Sequence, residues 1–141
     1  MIGRLHFSTS LVLSYLIYNF LGLDKLSSII LSIITASLSS LPDLDYKIYS
    51  WANKKRIFLE KTKLKYILFP IYLFFIFLTK VFKHRGITHS IFPIIFFLFL
   101  SFYFKPFFIL FLAFLLHIIE DAFTVSGIQP FYPIGKIRIR I

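Results

Sequence analysis

The chain has 141 residues and a net charge of +10, and it is 58% hydrophobic and 21% aromatic, with 20 phenylalanines. Only 16% of its residues are charged, against about a quarter in an average soluble domain. A soluble domain of this length has too little interior for so many apolar side chains. The composition therefore indicates an integral membrane protein of a single domain, residues 1–141, and excludes a soluble enzyme, a disordered chain and a fibrous repeat. Because the chain has no cysteine, disulfides and thiolate metal sites are also excluded.

The basic character of the chain predicts a membrane partner. Sixteen Lys and Arg residues stand against six Asp and Glu residues. Basic residues that flank apolar segments orient membrane proteins and contact anionic lipid headgroups. The basic residues flank apolar segments and do not form a patch on a polar domain. We therefore expect anionic headgroups as partners and no nucleic acid. No small-residue cleavage site follows the first apolar run, which we therefore expect to be a retained span.

Turn signals divide the apolar sequence into four short segments that predict transmembrane helices. The first ends at a turn over residues 22–25, the second ends at Pro42, and the fourth begins at Pro106, where the missing N–H costs nothing. Each helix would be about 25 Å long, slightly less than the hydrocarbon core of roughly 30 Å. The predicted spans are residues 6–22, 26–42, 88–104 and 106–122.

The apolar stretch at residues 64–82 needs a separate decision, because it contains Pro70 and lies among basic residues. If this stretch does not cross, 14 basic residues lie on one side of the membrane and 2 on the other; if it crosses, the division is 9 to 7. The positive-inside rule favours the first arrangement. The sequence thus predicts an all-α integral membrane protein with four short transmembrane helices in two hairpins. Residues 46–83 would form an interfacial or re-entrant helical segment between the hairpins, on the cytoplasmic side.

The second predicted span carries a stripe of small residues. Ser28, Ser32, Ala36 and Ser40 recur every four residues and would share one face of a helix. Small side chains on one face let a neighbouring helix approach closely. This stripe predicts tight helix packing, not chemistry.

Eight of the ten His, Asp and Glu residues lie at or beside the ends of the predicted spans, and the exceptions are Asp24 and Glu60. With four crossings, all eight fall on the same, cytoplasmic, face of the membrane. Ionisable groups near the hydrocarbon cost about 2.5–3.5 kcal/mol each on insertion scales, so their presence is typical of functional sites. The predicted metal ligands are His6, Asp43, Asp45, His84, His89, His117 and Asp121.

The last of these clusters has the spacing of a chelate. His117 and Asp121 are four residues apart on a predicted helix, so both can contact one cation. Glu120 is three residues beyond His117, and we expect it to be a second-choice ligand or a general base.

The two other clusters are expected to present their side chains from turns. Asp43 and Asp45 follow the second span, where extended geometry would direct two carboxylates at neighbouring points. His84 and His89 flank a glycine turn, with Thr88 as the predicted N-cap of the next helix.

Imidazole and carboxylate donors without thiolates favour a divalent metal ion, zinc in first place, with manganese or iron as alternatives. Seven donors exceed the four that one tetrahedral zinc ion uses, so the chain would hold one or two ions. Arg85 lies between two predicted ligands, and its planar guanidinium is expected to bind a substrate phosphate. Anchoring to lipid headgroups is the alternative role for Arg85.

Three strings carry a resemblance to a known family: LPDLD at residues 41–45, HRGITHS at 84–90, and HIIEDAFTVSG at 117–127, with Tyr132 and Pro133 beyond. They resemble the YdjM-like family of LexA-regulated, membrane-bound, metal-dependent hydrolases over most of the chain. The resemblance implies a multi-spanning inner-membrane protein whose His and Asp residues bind metal. It also implies a distant similarity to zinc-dependent phospholipases C. The family commonly has His after LPDxD, whereas this chain has Tyr46, so one potential ligand is missing.

The function that we expect is metal-dependent hydrolysis of a phosphoester, in a lipid or lipid-linked substrate, at the cytoplasmic membrane face. Glu120 would act as the base and Arg85 would hold the phosphate. The alternative is a non-enzymatic membrane protein that binds or conducts a divalent cation with the same ligands. The predicted spans contain no acidic residue near mid-depth, which weakens the interpretation as a channel.

Overall fold

The computed structural model describes residues 2–82, 86–124, 127–132, 134–135 and 137–140, with side chains from Leu5 onward. The described residues form six α-helices and a 3-10 turn at Ile87–His89. In chain order the helices are α1 (Ile2–Phe20), α2 (Lys25–Leu38), α3 (Leu44–Lys61), α4 (Phe69–Val81), α5 (Ile91–Tyr103) and α6 (Phe107–Ala122). These residues contain no β-strand, only an isolated antiparallel bridge between Ile128 and Ile139. The all-α prediction is confirmed.

The helix bounds differ from the predicted spans at their polar ends. Helix α2 ends at Leu38, before Pro42, because the backbone N–H of Ser39 already closes the last turn on Thr35. Helix α5 begins at Ile91 and not at residue 88, because the preceding residues form the 3-10 turn. Among the residues that the structure describes, no helix combines the length and the apolarity that crossing a bilayer requires.

Helices α1 and α2 pack through small side chains. Ser28, Ser32 and Ala36 are buried, as the stripe on α2 predicted, whereas Ser40 lies beyond the helix and is exposed. Helix α1 presents its own buried row at four-residue spacing, namely His6, Ser10, Ser14 and Tyr18. The buried hydroxyls of Tyr18 and Thr35 are 2.8 Å apart and join the two helices by a hydrogen bond.

Helix α6 is the centre of the molecule, because it packs against α5, α2 and α1. Its Leu112 and Leu116 form one buried apolar cluster with Tyr18. A second cluster joins α6 to α5 and to the C-terminal segment; its buried members are Ile94, Phe114, Ile118, Ala122 and Ile128. Because α6 has neighbours on several sides, polar residues near its end, His117 and Asp121, are buried.

The segment that was expected to be interfacial or re-entrant forms two helices, α3 and α4, which pack against each other. Their shared core consists of Ala52, Leu59 and Phe75. Pro70 lies in the first turn of α4, where its missing N–H costs nothing, so it does not interrupt the helix.

Candidate metal centre

The structure brings six of the seven predicted metal ligands to one place, together with Glu120. The residues come from α1, the start of α3, the 3-10 turn and the end of α6, which are far apart in sequence. They are His6, Asp43, Asp45, His89, His117, Glu120 and Asp121. The remaining predicted ligand, His84, and the predicted phosphate-binding residue Arg85 lie outside the described residues.

Asp43 and Asp45 sit at a helix N-terminus, not in extended backbone as the sequence suggested. Asp43 is the N-cap residue of α3, with helical backbone angles, and Asp45 lies in the first turn. Carboxylates are stabilised there by the positive end of the helix dipole. Both acids therefore lie beside the site at a helix N-terminus, where a carboxylate is favoured.

The 3-10 turn holds His89 against Asp45. Nδ1 of His89 lies 3.2 Å from Oδ2 of Asp45. The hydroxyl of Thr88 donates a hydrogen bond to the same oxygen at 2.7 Å. Thr88 is therefore not the N-cap of the next helix, a position that Ser90 occupies. Because Asp45 binds Nδ1, the other ring nitrogen, Nε2, points into the site.

The two acids of α6 lie where the electrostatic field of the helix disfavours a negative charge. Glu120 and Asp121 lie in the last turn of the helix, where the negative end of the helix dipole opposes a carboxylate. Asp121 is also fully buried. Buried charge requires a compensating partner, and a divalent cation among the three imidazoles and four carboxylates would supply one.

One trio of donor atoms surrounds a common point. Nε2 of His89 and Nε2 of His117 are 3.2 Å apart. Oδ1 of Asp43 lies 3.7 Å from the first and 3.8 Å from the second. Two ligands of a tetrahedral zinc ion, each at about 2.0–2.1 Å from it, are about 3.3–3.4 Å apart. These three atoms therefore have close to the spacing of co-ligands of one ion.

A second trio, formed by His6, His117 and Asp121, has donor atoms that all lie within 4.8 Å of one another. Nε2 of His6 is 3.6 Å from Oδ1 of Asp121. This nitrogen is buried and has no hydrogen-bond partner in the part of the chain that the structure describes. An unpaired buried nitrogen beside a carboxylate is what a metal ligand shows before its ion is added. The residues present therefore fit a divalent ion.

Glu120 supports His6 from the side away from this trio. Its Oε2 contacts Nδ1 of His6, and its Oε1 accepts a hydrogen bond from the hydroxyl of Ser10 at 2.9 Å. Sequence reasoning missed Ser10 and the contact of Thr88, although Ser10 is one turn after His6 on the same helix face. Carboxylates that bind the far nitrogen of a metal-ligating histidine fix its tautomer and orientation.

Replacing Glu120 with glutamine should weaken metal binding on the His6 side without preventing folding. The amide keeps the shape of the side chain but loses the charge that holds Nδ1–H of His6. Loss of such a supporting carboxylate typically costs about 10–100-fold in metal affinity. A competition titration with a chelating dye would measure this loss. Glu60→Gln, which alters an acid bonded to Tyr72 in the α3–α4 pair, is the matched control. Equal affinities in the two variants would contradict the supporting role.

The site is accessible from the side of Asp43. The Asp43 side chain is 37% exposed, whereas those of His89, His117 and Asp121 are at most 2% exposed. The contact with His89 lowers the pKa of the Asp43 carboxyl below its ordinary value, and burial only partly opposes this effect. Asp43 is thus ionised at neutral pH and can contact both a cation inside the site and a molecule outside it.

The fold and the site together define a class: an all-helical protein whose buried His and Asp residues can hold a metal ion. The family model of the YdjM inner membrane protein matches residues 1–141, the whole chain. The chain therefore belongs to the YdjM inner membrane protein family, as the three sequence strings predicted. Comparison with curated proteins and with solved structures finds no match.

Proposed function

We propose that this chain is a multi-pass inner-membrane hydrolase that uses a divalent metal ion to cleave a phosphoester of a lipid or lipid-linked substrate. The observation that carries this proposal is the convergence of His89, His117 and Asp43, whose donor atoms lie 3.2, 3.7 and 3.8 Å apart at a partly open site. Zinc is favoured because the donors are imidazoles and carboxylates, and manganese or iron would suit the same set.

Some residues of the site would bind the metal ion, and others would hold those ligands in place. A bound divalent ion would lower the pKa of a water molecule towards about 7 and polarise the bond to be cleaved. His89, His117 and Asp43 would hold the ion, while Asp45 keeps the ring of His89 in place. Glu120 has both oxygens engaged by α1, so it is better placed to position His6 than to take a proton from a substrate.

The surface of the molecule supports a membrane location for this chemistry. Large apolar side chains are exposed on α1, α2, α4 and α5; Phe20 is 90% and Phe102 is 80% exposed. Apolar surface of this extent is typical of a face that contacts lipid or a partner. We propose that these faces lie in the hydrocarbon of the inner membrane.

The basic residues support a cytoplasmic orientation of the site. Helix α3 starts at the site and carries a series of basic residues, Lys47, Lys54, Lys55, Arg56 and Lys61. Anionic headgroups of the cytoplasmic leaflet attract such residues, and the positive-inside rule retains them there. The site would then face lipid phosphates at the cytoplasmic surface.

The proposal is tested by metal analysis of the purified protein, followed by a screen of phospholipids and lipid phosphates for release of phosphate or headgroup. We expect bound zinc and turnover that a chelator removes. Arg85→Lys should keep the metal and the fold but lose most of the turnover, because Lys lacks the planar fork that binds phosphate at two points. Wild-type turnover in Arg85→Lys would leave only headgroup anchoring for Arg85. Bound metal without turnover of any substrate would favour the non-enzymatic cation-binding protein.

A further inference from the structure

We infer that the site holds two divalent ions and that Asp121 bridges them, each of its oxygens binding a different ion. This inference rests on the proposed metal binding and extends it from one ion to a pair. One ion would be held by His89, His117 and Asp43 with Oδ2 of Asp121. The other would be held by His6 with Oδ1 of Asp121.

The two oxygens of Asp121 face different histidines. Oδ1 lies 3.6 Å from Nε2 of His6. Oδ2 lies 3.5 Å from Nε2 of His89 and 3.8 Å from Nε2 of His117. Each oxygen of Asp121 therefore lies close to the Nε2 of a different histidine.

The distances between the oxygens of Asp121 and the histidine nitrogens are longer than hydrogen bonds and close to those between ligands of one metal ion. Nitrogen-to-oxygen hydrogen bonds measure about 2.7–3.2 Å, which is shorter than all three Asp121 distances. Ligands of one tetrahedral ion are about 3.3–3.4 Å apart, which is close to 3.5 and 3.6 Å. The nitrogens and oxygens are thus spaced as if an ion separated each pair.

His6 and His89 lie near different oxygens of Asp121, and each has a carboxylate at its Nδ1. Glu120 contacts Nδ1 of His6, and Asp45 contacts Nδ1 of His89. A carboxylate at Nδ1 favours the tautomer whose proton is on that nitrogen, which leaves the lone pair on Nε2. Nε2 of His6 and Nε2 of His89 then lie 3.6 and 3.5 Å from the oxygens of Asp121, and an ionised carboxylate cannot donate a hydrogen bond to either nitrogen.

Burial of His6 is the independent observation that favours the second ion. The His6 side chain is only 5% exposed, and its Nε2 has no hydrogen-bond partner among the residues that the structure describes. A buried acceptor without a donor is costly, and an ion between His6 and Asp121 would remove that cost. Paired ions about 3.5–4 Å apart are typical of enzymes that cleave phosphoesters, because they stabilise both the attacking and the leaving oxygen.

Counting zinc ions per chain tests the inference. Wild-type protein in detergent would be stripped with a chelator, reloaded with Zn²⁺ and freed of unbound metal. We expect two ions per chain in the wild type and one in His6→Asn. Asp24→Asn, an exposed helix cap whose role asparagine can fill, should keep both. One ion in both the wild type and His6→Asn would overturn the two-ion inference but leave the proposed function standing. No bound ion in the wild type would overturn both.

Two further measurements keep the inference falsifiable if His6→Asn does not fold. Glu120→Gln should weaken only one of two resolved Zn²⁺ binding steps; equal weakening of both steps would contradict separate ions. The wild type loaded with Mn²⁺ should give the electron paramagnetic resonance spectrum of a magnetically coupled pair, because a carboxylate bridge couples the two ions. A spectrum of isolated Mn²⁺ ions, two per chain, would overturn the bridge.

Discussion

His117→Ala is expected to remove the metal ion that His89 and Asp43 would share with it, and to abolish any turnover that depends on this ion. His117 is fully buried, and its Nε2 lies in the trio with His89 and Asp43, so its removal takes a ligand from the ion that this trio would hold. Loss of a supporting residue costs about 10–100-fold in metal affinity, and loss of a ligand should cost more than about 100-fold. Metal analysis of the purified variant would measure this loss.

The control for His117→Ala separates lost ligation from lost folding. Circular dichroism should show the same helix content in the variant and the wild type, since α6 keeps its apolar contacts on several sides. Glu60→Gln should retain full metal content, because Glu60 lies in the α3–α4 pair and bonds Tyr72. Full metal content in a folded His117→Ala protein would show that the buried cluster is structural.

Ala36→Leu is expected to destabilise the helical bundle more than any change on the exposed face of α2. Ala36 is completely buried on the helix that packs against both α1 and α6. A larger side chain must push the helices apart, and overpacking of this kind costs about 1–3 kcal/mol. The midpoint of thermal unfolding in detergent should fall accordingly.

Ser37→Leu is the matched control for the packing prediction, since it adds a leucine to the next residue of the same helix. Ser37 is exposed, and its hydroxyl donates a hydrogen bond to the carbonyl of Ile33 within α2. The unfolding midpoint of this variant should stay close to that of the wild type. Equal midpoints for the two leucine variants would mean that α2 does not need its small-residue face.

Residue spacing and residue chemistry were enough to predict the helical class and to single out acids and imidazoles that the structure brings together. Apolar segments between turn signals indicated helices, and four-residue spacing indicated the packed face at Ser28, Ser32 and Ala36. The same spacing placed His117 and Asp121 on one face. These predictions succeed because helix geometry depends on neighbours in the sequence, which a single chain displays directly.

The role of each residue in the site depended on contacts that sequence spacing does not contain. His6 and Glu120 are separated by 114 positions, and Thr88 and Asp45 by 43, yet each pair is in contact. Such contacts depend on how the helices pack around α6.

The sequence by itself determined an all-helical, strongly apolar chain with its acids and imidazoles at helix ends, because composition and helical periodicity are local properties. The tertiary structure decided which of those groups face one another. It placed Asp45 against Nδ1 of His89 and Glu120 against Nδ1 of His6. It also placed the two oxygens of Asp121 near different histidines. The physical reason is that a donor atom becomes a ligand or a support only through its distance from the others, and packing alone sets that distance.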